Sequence, residues 1–193
     1  MQLTRQDLWS LEDYASKRQQ FRTDIIAHKK NRQVRIGEHM TLIFEDRMTI
    51  QYQIQEMLRI ERVFEAEGIQ EELDAYNPLI PDGDNWKCSL MLEYEDVNER
   101  KLRLQELVGV EEAVWIQVGD TEKIFPIADE DIDRADETKT SAVHFLRYQL
   151  PKDAIAALKA GAGISAGVNH PAYTDESVTF KPAVINALKK DID

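Results

Sequence analysis

The sequence predicts an α+β fold: N-terminal helices, including one long central helix, packed on a mixed, mostly antiparallel C-terminal sheet with short helices. Three observations carry this prediction. Apolar side chains recur at helical spacing near the start, at Leu8, Leu11, Tyr14, Ala15, Phe21 and Ile25. The stretch from Glu38 to Glu67 reads as one helix, stopped by Gly68. The second half is rich in strand patterns, most clearly where Ala142, His144, Leu146, Tyr148 and Leu150 alternate with Val143, Phe145, Arg147 and Gln149.

Taken in order, Thr4 with Asp7 three residues on forms a weak capping box for a first helix to about Ala27. Val34 and Ile36 flank a short extended piece that Gly37 breaks. The long helix would span about 45 Å at ~1.5 Å per residue. Its β-branched start at Thr41–Ile43 leaves a strand open there. Two prolines, Pro78 and Pro81, make residues 76–85 irregular. Then come a strand at Lys87–Tyr94, a helix at Val97–Leu107 and a strand at Ala113–Val118. Gly119-Asp120 offers a hairpin turn into Lys123–Ile127. Pro151 opens a short helix to Ala160, Ile164–Val168 and Ser177–Phe180 read as strands, and Pro182 starts a last helix to Lys190.

A chain of 193 residues suits one domain spanning 1–193, helical over about 1–75 and sheet-rich over about 86–193. The single cysteine, Cys88, excludes an intramolecular disulfide and any multi-cysteine metal site within one chain. No apolar run approaches the roughly 20 residues of a membrane span. The start, Met1 to Asp7, lacks the apolar stretch of a signal peptide, so a soluble cytoplasmic protein is expected.

The net charge of −12 is unevenly spread. Residues 1–68 balance 11 basic against 11 acidic residues, residues 69–140 hold 7 against 20, and residues 141–193 hold 6 against 5. This acidity disfavours nucleic acid and anionic membranes as partners. One local exception is Lys17, Arg18, Arg22, Lys29, Lys30, Arg32 and Arg35, opposed only by Asp24. Its ordinary reading is a solvated helix end and loop; its functional reading is an anion or partner patch.

Several known catalytic signatures are missing: no GxGxxG, GxxxxGK[ST] or HExxH, and no His preceded by Glu at three residues. On the long helix, one apolar stripe carries Ile43, Ile50, Ile54, Met57 and Phe64, with His39, Asp46 and Glu61. The other carries Met48, Tyr52 and Val63, with Thr41, Glu45, Glu56 and Arg59. Glu56 and Arg59 stand at i,i+3 and can form a buried pair, and Tyr52 can share a hydrogen bond with Glu56. The competing readings are a polar network that fixes packing, a carboxylate cluster, and a docking face. Catalytic candidates are Glu56, Arg59, Glu61 and His144; metal candidates are His39, Glu45, Glu56, His144 and His170. His28 falls in the basic stretch, Asp82-Gly83-Asp84-Asn85 reads as a turn, and Cys88 as an inert buried thiol.

The runs His28-Lys29-Lys30, Phe44-Glu45-Asp46-Arg47, Tyr52 to Arg62 and Gln70 to Gly83 resemble a bacterial family catalogued as domain of unknown function 3501. So do Ala128-Asp129-Glu130-Asp131, Thr140 to Arg147 and Asn169-His170-Pro171-Ala172-Tyr173. The resemblance covers nearly the whole chain and supplies no catalytic residue or cofactor. It implies gene neighbours of rubrerythrin-like and iron–sulfur oxidoreductase type, and so a redox or oxidative-stress setting. The leading expectation is a non-catalytic accessory or interaction protein with a redox partner, and a homodimer formed to cover a helix apolar on two sides. The alternatives are a metal-binding protein or enzyme built on the Glu/His candidates, and anion binding at the basic patch.

Overall fold

A computed structural model describes residues 2–130, 138–173 and 177–193. The N-terminal part holds α1 (Leu11–Lys29), a hairpin of β1 (Gln33–Ile36) and β2 (Met40–Phe44), then α2 (Arg47–Glu61) and α3 (Ala66–Tyr76). The rest runs β3 (Asn85–Leu92), α4 (Val97–Glu106), α5 (Val110–Ala113), β4 (Val114–Val118), β5 (Ile127–Ala128), β6 (Val143–Gln149), α6 (Lys152–Lys159), β7 (Ile164–Val168), β8 (Ser177–Thr179) and α7 (Pro182–Leu188). The fold is α+β, with two antiparallel sheets in the orders β1-β2-β3-β6-β5 and β4-β7-β8.

One core joins the two sheets. Leu42, Phe44, Trp86, Cys88, Leu90, Leu146 and Tyr148 on the larger sheet belong to one buried cluster with Val114, Ile116, Ile164 and Ala166 of the smaller. The helical layer has its own apolar centre of Leu3, Ile50, Ile54, Leu58, Leu73 and Ile80. A separate aromatic cluster packs Tyr14, Phe21 and Ile25 against Trp9, Met48 and Tyr52.

The long helix expected over Glu38–Glu67 is three elements. Thr41–Ile43 lies in β2, between β1 and β3, so the β-branched residues follow their strand preference. Asp46 then caps α2, its Oδ1 accepting the Met48 and Thr49 amides at 3.0 and 2.9 Å. Its own amide donates to Thr49 Oγ1 at 2.9 Å. At the other end Arg62, at φ 58°, takes the left-handed position that closes the helix. Gly68 stops nothing; it lies inside α3, where a Cβ would sit 2.7 Å from Val63 Cγ1. Its lack of a side chain lets the turn after α2 close onto α3. His39, Thr41, Ile43 and Glu45 therefore leave the two helical stripes. The helical and sheet-rich parts are not sequential halves either, since β1 and β2 join the larger sheet.

Two smaller differences have equally local causes. Thr4 caps only a three-residue turn at Arg5–Asp7, and α1 starts at Leu11 with Ser10 Oγ accepting the Asp13 amide. The turn at Gly119 forms, with φ 55°, but its return pairs only as the bridge Ile116–Ile124. Pro126 has no N–H to extend that ladder, and Ile127–Ala128 pairs with β6 instead. Most of the acidic stretch after Asp129, residues 131–137, falls outside the described residues. No helix among the described residues is long and apolar enough to cross a membrane.

Candidate functional site

Strand register builds a floor. Ile43 pairs with Ser89 and Ser89 with Phe145; Thr41 pairs with Met91 and Met91 with Val143. Lys87 pairs with Arg147, and Arg147 with Ile127. Because side chains alternate along a strand, these rows lie on the face turned away from the two-sheet core. The helical layer roofs that face incompletely and leaves two cavities. One, about 250 Å³, is lined among others by Lys29, Glu45, Gln53, Tyr76, Ser89 and Met91. The other, about 280 Å³, is lined by Ala75, Pro78, Lys87, Glu130, Leu146 and Arg147 among others. Leu79 and Phe145 line both, so the cavities adjoin across these two side chains along one cleft.

Two charged groups are set deep here, Glu45 and Lys87, each 8 % exposed; Lys87 is paired with Asp82 at 2.7 Å. Thr49 Oγ1 donates to Glu45 Oε2 at 2.5 Å and Ser89 Oγ to Glu45 Oε1 at 2.7 Å. Both hydroxyls fix the carboxylate without supplying positive charge. At the far end Arg147 makes a two-pronged pair with Glu130, at 2.8 and 2.7 Å. Each partner favours the other's charged form, lowering the Glu130 pKa and raising that of Arg147.

The remaining candidates are dispersed. Glu56 belongs to the helical layer. Arg18 grips it through Nε and Nη2 at 2.7 and 2.9 Å, and Tyr14 donates its hydroxyl at 2.7 Å. The Arg18 hydrogen bonds, against the opposing push of burial and with help from Tyr14 and Arg59, hold the Glu56 carboxyl at about 2. The phenol expected from Tyr52 is thus supplied by Tyr14. Arg59 does reach Glu56, at 3.2 Å, but it is 39 % exposed, so the pair is a rim contact rather than a buried one. Glu61 is exposed at the end of α2.

His144 is fully buried. Its Nδ1 lies 2.5 Å from Asp129 Oδ2 and its Nε2 2.8 Å from Thr140 Oγ1, which donates to Glu111 Oε2 at 3.0 Å. Asp129 also accepts the Phe145 amide at 2.9 Å, which clamps the chain beside β6. His39 stacks on Tyr94 with ring centroids 4.2 Å apart, its Nδ1 3.0 Å from the Glu93 carbonyl. His170 Nε2 lies 3.0 Å from the Val108 carbonyl. Among the described residues no group of three or more His, Cys, Asp or Glu side chains is placed to hold a metal ion. Burial pushes the Cys88 thiol well up, away from thiolate chemistry.

The basic stretch does not form one surface. Arg18 turns to Glu56, and Lys17 lies over the Trp9 ring at 5.1 Å. Arg35 donates to the Glu38 carbonyl, while Arg22 and Lys30 are exposed. Arg32 is 2 % exposed and donates to the Phe44 and Glu45 carbonyls at 2.9 and 3.0 Å. It also pairs with Asp191 and, at 3.4 Å, with Asp46, which His28 Nε2 approaches to 2.6 Å. Lys29 instead lines the cleft. Sequence reasoning placed Lys29 only in the patch and passed over Gln53, Tyr76 and Ser89. The signal that pointed at the floor was the β6 alternation, which put Phe145 opposite His144.

The molecule is therefore a two-sheet α+β protein with a cleft between its helical layer and the outer face of its larger sheet. Residues 2–192 match the family described as "Protein of unknown function (DUF3501)", and the chain belongs to that family. A solved protein from Burkholderia pseudomallei K96243, described as a novel protein of unknown function, is 50% identical over 100% of both chains, with a TM-score of 0.95. No curated protein matches the chain.

Proposed function

We propose that the protein is a non-catalytic accessory protein that binds a small organic molecule in the cleft between α2–α3 and the larger sheet. The observation that carries this reading is the adjoining of the two cavities across Phe145 and Leu79. An apolar middle with polar groups at both ends, on the scale of a few hundred Å³, is the usual form of a small-molecule site. The other polar candidates support it from their own positions: Glu56 and His144 are each tied into networks that hold helices and strands together.

The family resemblance adds a redox protein as partner, in the cytoplasm. Ile60 and Phe64, exposed near the end of α2, offer an apolar contact for that partner or for a second copy in a homodimer. Light scattering tests the dimer: a mass of 22.3 kDa that does not change with concentration removes it.

The cleft is tested by NMR of methyl-labelled protein titrated with small neutral aromatics such as indole. Saturable shifts are expected at Ile43, Leu79, Met91 and Val143, and not at Leu102 or Val97 on α4. Shifts confined to α4, or none, would remove the cleft from this role. Stoichiometric metal in protein purified without added metal would favour the rival reading, a metal site on the His and Glu candidates.

A further inference from the structure

We infer that the cleft is built for a small zwitterion with an apolar tail, the chemical class of an apolar amino acid. This rests on the binding role proposed above and goes further, because two opposite charges line the same cavity without being paired.

Glu45 is more than nine-tenths buried. Its two oxygens accept hydroxyls from Thr49 and Ser89, and no described Lys, Arg or His makes an ion pair with it. Each oxygen keeps a further lone-pair position. Lys29, half-buried in the last turn of α1, lines the same cavity and has no described carboxylate partner. The two groups share one space but stand farther apart than the 4.0 Å of a salt bridge. Gln53 and Tyr76 line that cavity too, with no described hydrogen-bond partner for the amide or the phenol.

A buried charge without an opposite charge is costly, so both groups favour a ligand that answers them. A plain carboxylate would meet Lys29 but would also face Glu45. A plain amine would meet Glu45 but would also face Lys29. A molecule carrying both groups meets each with its opposite: its ammonium donates to Glu45, and its carboxylate accepts from Lys29. Gln53 and Tyr76 are additional donors beside that head group. The tail then has one direction to go, over Phe145 and Leu79 into the second cavity. There Ala75, Pro78 and Leu79 give it apolar walls, and the Arg147–Glu130 pair stands at the end. Because that pair is already satisfied, the tail needs no charge of its own.

The test is calorimetric and NMR titration of the full chain with four probes: L-phenylalanine, 3-phenylpropanoate, phenethylamine and neutral indole. L-Phenylalanine should bind saturably and shift the methyls of Ile43, Leu79 and Met91. Each singly charged analogue should bind weaker by about tenfold or more, the scale of one lost charge-assisted contact. Lys29→Met should weaken the amino acid by a similar factor while leaving indole unchanged. Because Lys29 is half-buried and unpaired, that variant should fold normally; Glu45→Gln, more deeply set, repeats the test from the other end. Equal binding of the analogues, or an unchanged affinity in Lys29→Met, overturns the zwitterion. Indole binding in the cleft with no amino-acid binding overturns it while leaving the cleft as a binding site. No binding by any probe ends both readings.

Discussion

Two arginine–carboxylate sites hold this molecule together, and they treat their carboxylates in opposite ways. In the helical layer, Glu56 receives Arg18 through two nitrogens, Tyr14 through its hydroxyl and Arg59 at the rim, and its carboxyl stays ionised down to about 2. Beside β2, Arg32 divides one guanidinium among two carbonyls, Asp46 and Asp191. There burial outweighs the attraction of Arg32, Asp46 adds repulsion, and the Asp191 carboxyl rises to about 6. An ion pair thus stabilises a carboxylate only when its donors replace the lost water; one shared donor group in a closed site does not.

The largest expected effect comes from emptying the closed site. Arg32→Met should leave Asp46 and Asp191 without their shared cation and two carbonyls without a donor. It should cost about 3–5 kcal/mol in urea unfolding. A loss under about 1 kcal/mol would mean that solvent already reaches the site, and the contrast would collapse.

Next comes Glu56→Gln, which keeps the shape but removes the charge that Arg18 and Tyr14 address. A loss of about 1–3 kcal/mol is expected by the same measurement, on the scale of hydrogen bonds to a charged group in a partly solvated setting.

The contrast has a pH signature with two signs. Glu56 lies below its ordinary 4.5 in the folded protein, so its contribution is fully present above that value and is lost as pH falls toward about 2. Asp191 lies above its ordinary 3.8, so its contribution is fully present below that value and is lost as pH rises through about 6. Glu56→Gln should therefore flatten the acid limb of stability below pH 4.5, and Asp191→Asn should flatten the slope between 3.8 and 6. The same slopes in both variants and the parent would show that neither carboxyl is shifted.

The smallest effect belongs to Arg59→Ala. Its guanidinium is 39 % exposed and is one of several donors to Glu56. A cost of about 0.2–1 kcal/mol is expected from unfolding curves. A loss of several kcal/mol would return this pair to the buried role that its i,i+3 spacing first suggested.

Much of the fold was legible where the physics is local. The β6 alternation, the prolines at 151 and 182 and the strand at Ile164–Val168 all report on their nearest neighbours, and they read correctly. The long helix failed because two local signals competed. Helix formers dominate the run from Glu38 to Glu67, but Thr41–Ile43 gains a place between two strands, and Asp46 caps whatever follows. The candidate site was harder. Glu56 with Arg59 is visible in sequence because three residues separate them. Arg18 is 38 residues from Glu56, and Arg32 is 159 from Asp191, distances at which spacing carries no information. Spacing alone puts Glu45 on a helix stripe, whereas its setting is the strand end where Ser89 and Thr49 converge.

The strand order has a consequence for how the chain is made. Synthesis delivers β1, β2 and β3 well before β6, which lies about fifty residues beyond β3. Until β6 emerges, the strand carrying Trp86, Cys88 and Leu90 has one paired edge and one open edge, and its apolar face lacks the smaller sheet, whose strands β7 and β8 come later still. Such a half-built sheet is a template for the wrong neighbour. The growing chain therefore passes through an aggregation-prone stage between the completion of β3 and the arrival of Val143–Gln149.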